Sequence, residues 1–192
     1  MTRKIQLISH RKIRIISGKW RGYKIPILNS EGLRPTKDRI RETLFNWLIP
    51  IIQDAHCLDC FAGSGVLSIE ALSRYAASAT LIELKSPVAK QIMVNLSKLG
   101  AKNSQVINTN ALDYLVQRRT VSYDIIFLDP PFYKDLLEQI ALLLEQNGWL
   151  TKNCWIYVET ESEDNLRIFP KNWQLHRKKI SGRITYCIYI RH

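Results

Sequence analysis

From about residue 56 the chain alternates between two hydrophobic periods. Apolar runs of six or seven residues, HCLDCF (56–61), ATLIEL (79–84), SQVINT (104–109), YDIIFLD (123–129) and CWIYVET (154–160), read as strands. The segments between them, 65–75, 86–99, 111–118 and 133–147, carry apolar residues at helical spacing. This alternation predicts an α/β fold with a doubly wound, mostly parallel sheet. Two closing runs, 173-WQLHRKKI-180 and 183-RITYCIYIRH-192, meet at a Ser-Gly turn and predict an antiparallel hairpin at the end of that sheet. Upstream the pattern differs. Residues 13–28 form two β-prone runs around Ser-Gly-Lys-Trp-Arg-Gly, which predicts a hairpin with Lys19, Trp20 and Arg21 at its tip. In 34-RPTKDRIRETLFNWL-48, Thr36 is placed to cap a helix whose apolar stripe is Ile40, Leu44, Phe45, Trp47 and Leu48, opposite Lys37, Arg41 and Glu42. The expected organisation is a hairpin-and-helix extension over 1–50 and a main domain over 51–192.

Bulk properties narrow the setting. A chain of 192 residues, 46% hydrophobic, can bury one core and a small extension. No run of 18 apolar residues is present and the N-terminus is polar and basic, so neither a membrane span nor a signal peptide is expected, and the protein is expected in the cytoplasm. The pair Cys57 and Cys60 has C-x-x-C spacing but lies in a strand-like run, with Cys154 and Cys187 far off in other apolar runs. Core thiols fit this pattern better than a zinc or redox site. His10, His56, His176 and His192 make no ligand spacing, and no metal is expected.

Charge changes the picture. Residues 1–41 hold 12 basic and 2 acidic side chains, whereas residues 42–192 hold 16 and 15. Nearly all of the net charge of +11 therefore sits in the N-terminal fifth. Such a concentrated field suits a polyanion, nucleic acid before an anionic membrane. Its candidate contacts are Lys19, Arg21, Arg34, Thr36, Lys37, Arg39 and Arg41.

Two acids mark the chemistry. In a doubly wound sheet the ligand crevice lies at the carboxyl ends of the strands. At the first exit, 58-LDCFAGSG-65, Gly63 and Gly65 let the backbone turn tightly beside a ligand. Ser68 stands where the dinucleotide fingerprint wants Gly or Ala, and Asp59 precedes the turn. A carboxylate there repels a pyrophosphate but accepts hydrogen bonds from a cationic amino-acid end, so S-adenosylmethionine is favoured over NAD. Glu83, ending the second run, is placed for both ribose hydroxyls, and Asn110 and Ala111 for the adenine.

The second acid is in 129-DPPF-132, at the exit of the fourth run. Pro130 and Pro131 lack N–H donors and lock φ, which leaves backbone carbonyls as free acceptors. An exocyclic amine of a nucleobase is a poor nucleophile because its lone pair is delocalised. If Asp129 and the Pro130 carbonyl accept its two N–H groups, the nitrogen can pyramidalise towards a sulfonium methyl. Phe132 would stack on the unpaired or flipped base.

These residues resemble the class I S-adenosylmethionine-dependent methyltransferases, in which [DN]PP[FY] is typical of enzymes that methylate amino groups of nucleobases or glutamine. Taken with 14-RIISGKWRGYKI-25, 33-LRPTKDRIRETLFNWL-48 and 71-ALSRYAA-77, the chain resembles, over nearly its full length, the bacterial 16S ribosomal RNA guanine-N2 methyltransferases, the RsmD family. The resemblance implies a Rossmann-like class I fold and methyl transfer to the 2-amino group of one guanine in 16S rRNA. The rRNA partner would be in the small subunit or its assembly intermediate, and the enzyme is expected to be monomeric. It implies cofactor contacts at Asp59, Phe61, Gly63, Gly65, Glu83, Asn110, Ala111 and Asp129, with Asp129, Pro130, Pro131 and Phe132 around the target amine. Other readings are an amino-methyltransferase acting on DNA adenine or cytosine or on protein glutamine, and a non-catalytic RNA-binding assembly factor on the same fold.

Overall fold

The structure is a computed structural model that describes residues 11–28, 36–118, 121–131, 134–161 and 169–192. A short antiparallel hairpin, β1 (Arg11–Arg14) and β2 (Lys24–Ile27), precedes helix α1 (Asp38–Leu48). The alternating region follows: β3 (His56–Asp59), α2 (Val66–Ser73), β4 (Ser78–Ile82), α3 (Ser86–Lys98), β5 (Ser104–Ile107), α4 (Ala111–Leu115), β6 (Tyr123–Leu128), α5 (Lys134–Gln146) and β7 (Leu150–Thr160). The chain closes with β8 (Trp173–Ser181) and β9 (Ile184–Arg191). Every element anticipated from the hydrophobic pattern is present.

Seven strands form one sheet in the order β5-β4-β3-β6-β7-β9-β8. β5, β4, β3, β6 and β7 run parallel, and β9 and β8 add antiparallel at the far end. The central strands are buried on both faces because their residues are apolar at successive positions, as in Ile125 to Leu128. Alternate residues feed two cores. Cys57, Ile125, Phe127 and Tyr157 face the hairpin, α1, α2 and α3, whereas Leu58, Ile126, Leu128 and Ile156 face α4 and α5. The described part of the N-terminal extension is built into the first of these cores, through Ile15, Ile25, Ile40, Leu44, Phe45 and Leu48. All four cysteines are buried and free, as the strand-like setting of the C-x-x-C pair suggested.

α2 explains how the extension is held. All eight of its residues are buried, and its three polar ones each hold a neighbouring segment. Glu70 accepts the N–H groups of Ile16 (2.8 Å) and Ser17 (3.0 Å) in the hairpin turn. Ser73 Oγ donates to the Ser17 carbonyl at 2.6 Å and accepts the Trp20 N–H at 3.0 Å. Ser68 turns the other way, towards the sheet's carboxyl edge. The turn fits this closely because Gly18, at φ +81°, has no side chain: a Cβ there would lie 1.8 Å from the Ser73 carbonyl oxygen.

Two expectations about α1 are corrected. Thr36 does not cap it, since Lys37 holds the cap position without a side-chain bond. Arg41 does not belong to a solvent-facing basic side. It is fully buried, with one guanidinium nitrogen 2.7 Å from Asp38 and 3.0 Å from the Arg14 carbonyl, and another 3.6 Å from buried Glu70. Position decided its fate over residue type, because residue 41 lies on the same face of the helix as Phe45 and Leu48.

Candidate active site

The strand order reverses between β3 and β6, and a cleft of about 290 Å³ opens there beyond the carboxyl ends of the strands. Successive strand exits supply its walls: Asp59 to Gly63 after β3, Glu83 after β4, Asn110 and Ala111 after β5, Asp129 to Pro131 after β6, and Glu159 from β7. Thr36, Lys37 and Ile40 close one side from α1, and Ile184 of β9 adds an apolar edge.

The glycine turn is held by acids at both ends. Gly63 (φ +52°) and Gly65 (φ +74°) take the left-handed backbone conformations that let β3 turn directly into α2. Glu83 Oε2 accepts the Gly63 N–H at 2.8 Å, and its Oε1 accepts the Lys85 N–H at 2.7 Å. A carboxylate offers about four acceptor positions, so each oxygen retains capacity for a ligand hydroxyl. Burial raises the Glu83 carboxyl above its ordinary value, with the two backbone N–H bonds working against the rise.

Asp59 lies deeper. Its Oδ2 accepts the Ser68 hydroxyl at 3.0 Å and its Oδ1 the Phe61 N–H at 3.3 Å. The serine at the fingerprint's last position is therefore the residue that orients this acid. Burial pushes the Asp59 carboxyl up to about 7, the two hydrogen bonds oppose the shift, and the charge of Glu83 adds to it. A group so placed gains most from a cationic ligand, which restores the ionised form.

Asp129 is partly buried, and the hydroxyl of buried Thr36 approaches its Oδ2 at 3.4 Å. Its carboxyl is held well above the ordinary range by burial first and then by the charges of Glu159 and Asp59, while Thr36 works the other way. Pro130 is buried and Pro131 exposed at the rim. Asn110 differs from expectation in one respect, because its side chain caps α4 by accepting the Leu112 N–H at 2.8 Å. It still borders the cleft.

The structure thus brings together Asp59, Phe61, Gly63, Glu83, Asn110, Ala111, Asp129, Pro130 and Pro131 around one space. Gly65 stands behind it, where an added Cβ would meet Ile92 at 3.0 Å. Lys19, Arg21, Lys37 and Arg39 are exposed, and Lys37 also borders the cleft. Thr36 sits inside the site, where it contacts Asp129. Arg34 and Phe132 lie outside the described residues. Sequence reasoning missed Glu159, whose Oε2 accepts the Tyr157 hydroxyl at 2.8 Å. An available signal was its place near the end of CWIYVET, which matches that of Asp129 in its own run.

Comparison with known proteins gives the chain's relatives. A family model described as Conserved hypothetical protein 95 matches residues 13–190. Ribosomal RNA small subunit methyltransferase D of Escherichia coli K12 is 56% identical over 180 residues, covering 94% of this chain and 90% of that protein. The protein of the same name from Haemophilus influenzae is 51% identical, with 93% of each chain covered. The solved structure of E. coli yhhF, described as a methyltransferase, superposes with a TM-score of 0.89 at 53% identity, covering 95% of this chain and 99% of that one.

Proposed function

The chain belongs to the ribosomal RNA small subunit methyltransferase D family, and we propose that it transfers a methyl group from S-adenosylmethionine to the exocyclic N2 amine of a guanine in small-subunit 16S rRNA. The observation that carries this reading is the convergence of Asp59, Glu83 and Asp129, from three strand ends, on one cleft. Carboxylates and a glycine turn suit a cationic amino-acid nucleoside. When bound, the cofactor supplies an electrophilic methyl group on a sulfonium.

The protein's own groups do the positioning. Asp59 accepts from the ammonium end, directly or through water, and Glu83 uses its remaining acceptor capacity on the ribose. Ala111 and Phe61 border the adenine side. Asp129 and the Pro130 carbonyl accept the two N–H groups of the guanine amine, which turns the nitrogen lone pair towards the methyl carbon. With the cofactor bound, the amine nitrogen held by Asp129 and the Pro130 carbonyl would displace the sulfonium's methyl, the C–S electrons leaving with sulfur, and the product amine would then give up one proton to solvent. Asp129 need only accept a hydrogen bond in this scheme, so it does not have to be charged. The exposed basic side chains of the N-terminal extension, Lys19, Arg21, Lys37 and Arg39 among them, meet rRNA phosphates.

The test offers the protein labelled cofactor with small subunits lacking the modification, duplex DNA, and release factor in parallel. Label in 16S rRNA that maps by mass to N2-methylguanine is the expected result. Label in DNA adenine or cytosine, or in glutamine, would overturn the assignment.

A further inference from the structure

Residues 171–183, KNWQLHRKKISGR, contain five basic side chains and no acidic one. Residues 42–192 as a whole hold 16 basic and 15 acidic groups, so outside this segment the main domain is acidic, 11 against 15. Three of the five lie on one strand, β8, the edge of the sheet, and the other two flank it.

Register decides where these charges point. Side chains of paired residues lie on the same face of a sheet. Arg177 pairs with Ile188, Lys179 with Tyr186 and Ser181 with Ile184, and all three β9 partners belong to the core beneath α1. Arg177 and Lys179 consequently project on the α1 side of the sheet, and both are exposed. Tyr186, opposite Lys179, is itself stacked on Trp47 of α1 at 5.5 Å. The row continues through Arg183, exposed in the two-residue turn that Gly182 opens at φ +66°. Its chain neighbour Ile184 borders the cleft. Three exposed cations thus run from the edge strand to the turn beside cleft-lining Ile184, and exposed Lys37 borders the same cleft.

Aromatic surface accompanies the charge. The pairing of β8 with β9 shifts register between Leu175 and Arg177, which leaves His176 as an extra residue. The bulge turns this exposed ring against half-buried Trp155, edge to face at 5.0 Å. Trp155 packs against the same core, so both rings lie on the face that carries Arg177 and Lys179. Cations interleaved with partly exposed rings suit single-stranded or looped RNA, where phosphates meet the charges and unpaired bases stack.

We infer that the α1-side face of the β8–β9 hairpin, through Arg177, Lys179 and Arg183, is a second rRNA-binding surface that, together with the N-terminal basic segment, holds the strand leading into the cleft. The inference rests on the proposed rRNA substrate. It goes beyond that reading in giving the C-terminal hairpin a share of the binding energy. An edge strand also needs charge to resist pairing with other chains, and any charge, positive or negative, meets that need.

The test exploits this difference. Arg177→Glu, Lys179→Glu and Arg183→Glu are combined in one variant, which keeps the edge charged but repels phosphate. Lys90→Glu, Lys98→Glu and Lys102→Glu, at exposed positions in and just beyond α3, make a control with the same change in net charge. Cofactor affinity, measured calorimetrically, serves as the check that each folds, and a triple Gln version of the β8 variant replaces the Glu version should that one fail it. On unmodified small subunits the β8 variant is expected to raise KM about tenfold or more with kcat little changed, as loss of uniform binding requires. The salt dependence of its rRNA binding should also flatten, by about 0.7 for each phosphate no longer neutralised. If the β8 variant and the α3 control show the same KM and the same salt slope, the surface does not bind rRNA. Wild-type protein that binds rRNA but methylates none of it would tell against the proposed reaction instead.

Discussion

Asp59 shows how the site's chemistry and its stability oppose each other. Its carboxyl titrates at about 7 in the folded chain against an ordinary 3.8. Below about pH 4 it is protonated in both folded and unfolded states and contributes nothing to stability. Between about 4 and 7 the folded state retains a proton that the unfolded state has released, so stability declines as pH rises, and above 7 the penalty is complete. It amounts to at most about 4 kcal/mol. Asp59→Asn should therefore be more stable than wild type in urea titrations by an amount that grows from pH 4 to pH 7 and then levels off, while cofactor affinity falls. A difference that does not change with pH would mean that the acid ionises freely. At Asp129 the raised carboxyl supports a neutral acceptor, which an amide can replace. Asp129→Asn should retain measurable turnover, and Asp129→Ala should lose about two orders of magnitude with cofactor binding intact. Equal inactivity of the two variants, both still binding cofactor and rRNA, would require the negative charge.

Among the elements, α2 has the widest reach, because its polar residues tie the cofactor-side acid, the hairpin turn and α1 to one buried rod. Glu70 is central: it holds two hairpin N–H groups, bonds Arg74 at 2.9 Å and lies 3.6 Å from Arg41. Removing it leaves the buried Arg41 guanidinium without that charge partner. Glu70→Ala should cost about 3–5 kcal/mol, measured as a shift in denaturant midpoint. A change below about 1 kcal/mol would show that solvent readily replaces the carboxylate. The order of elements was legible because each had its own hydrophobic period, and so were the acids at strand exits, where position in a run is a local property. The partnership of Arg41 with Glu70 was not, since it joins residues 29 apart; the helix face of Arg41 pointed to its burial, but not to its partner. Thr36 was misread for the same reason: its distance to Asp129 depends on how α1 sits over the sheet, which no local pattern encodes.

At the scale of the whole molecule, charge is sorted by depth. Four acids line the cleft, exposed Lys37 and Lys85 border it, and Arg183 is exposed one residue from cleft-lining Ile184. An rRNA strand would be attracted to the opening and repelled from its floor, where a cationic cofactor is favoured, so the two substrates do not compete for the same field. The thiols are sorted as well. Cys57, Cys60, Cys154 and Cys187 are all buried, and burial raises each of them above its ordinary titration range. Alkylating reagents act on thiolates that they can reach, so the native fold keeps its own sulfur silent. A single cysteine introduced at an exposed rim position could then carry a dye or a photocrosslinker without first stripping the natural ones, and the bound enzyme's orientation on the ribosomal particle could be read from that one tag.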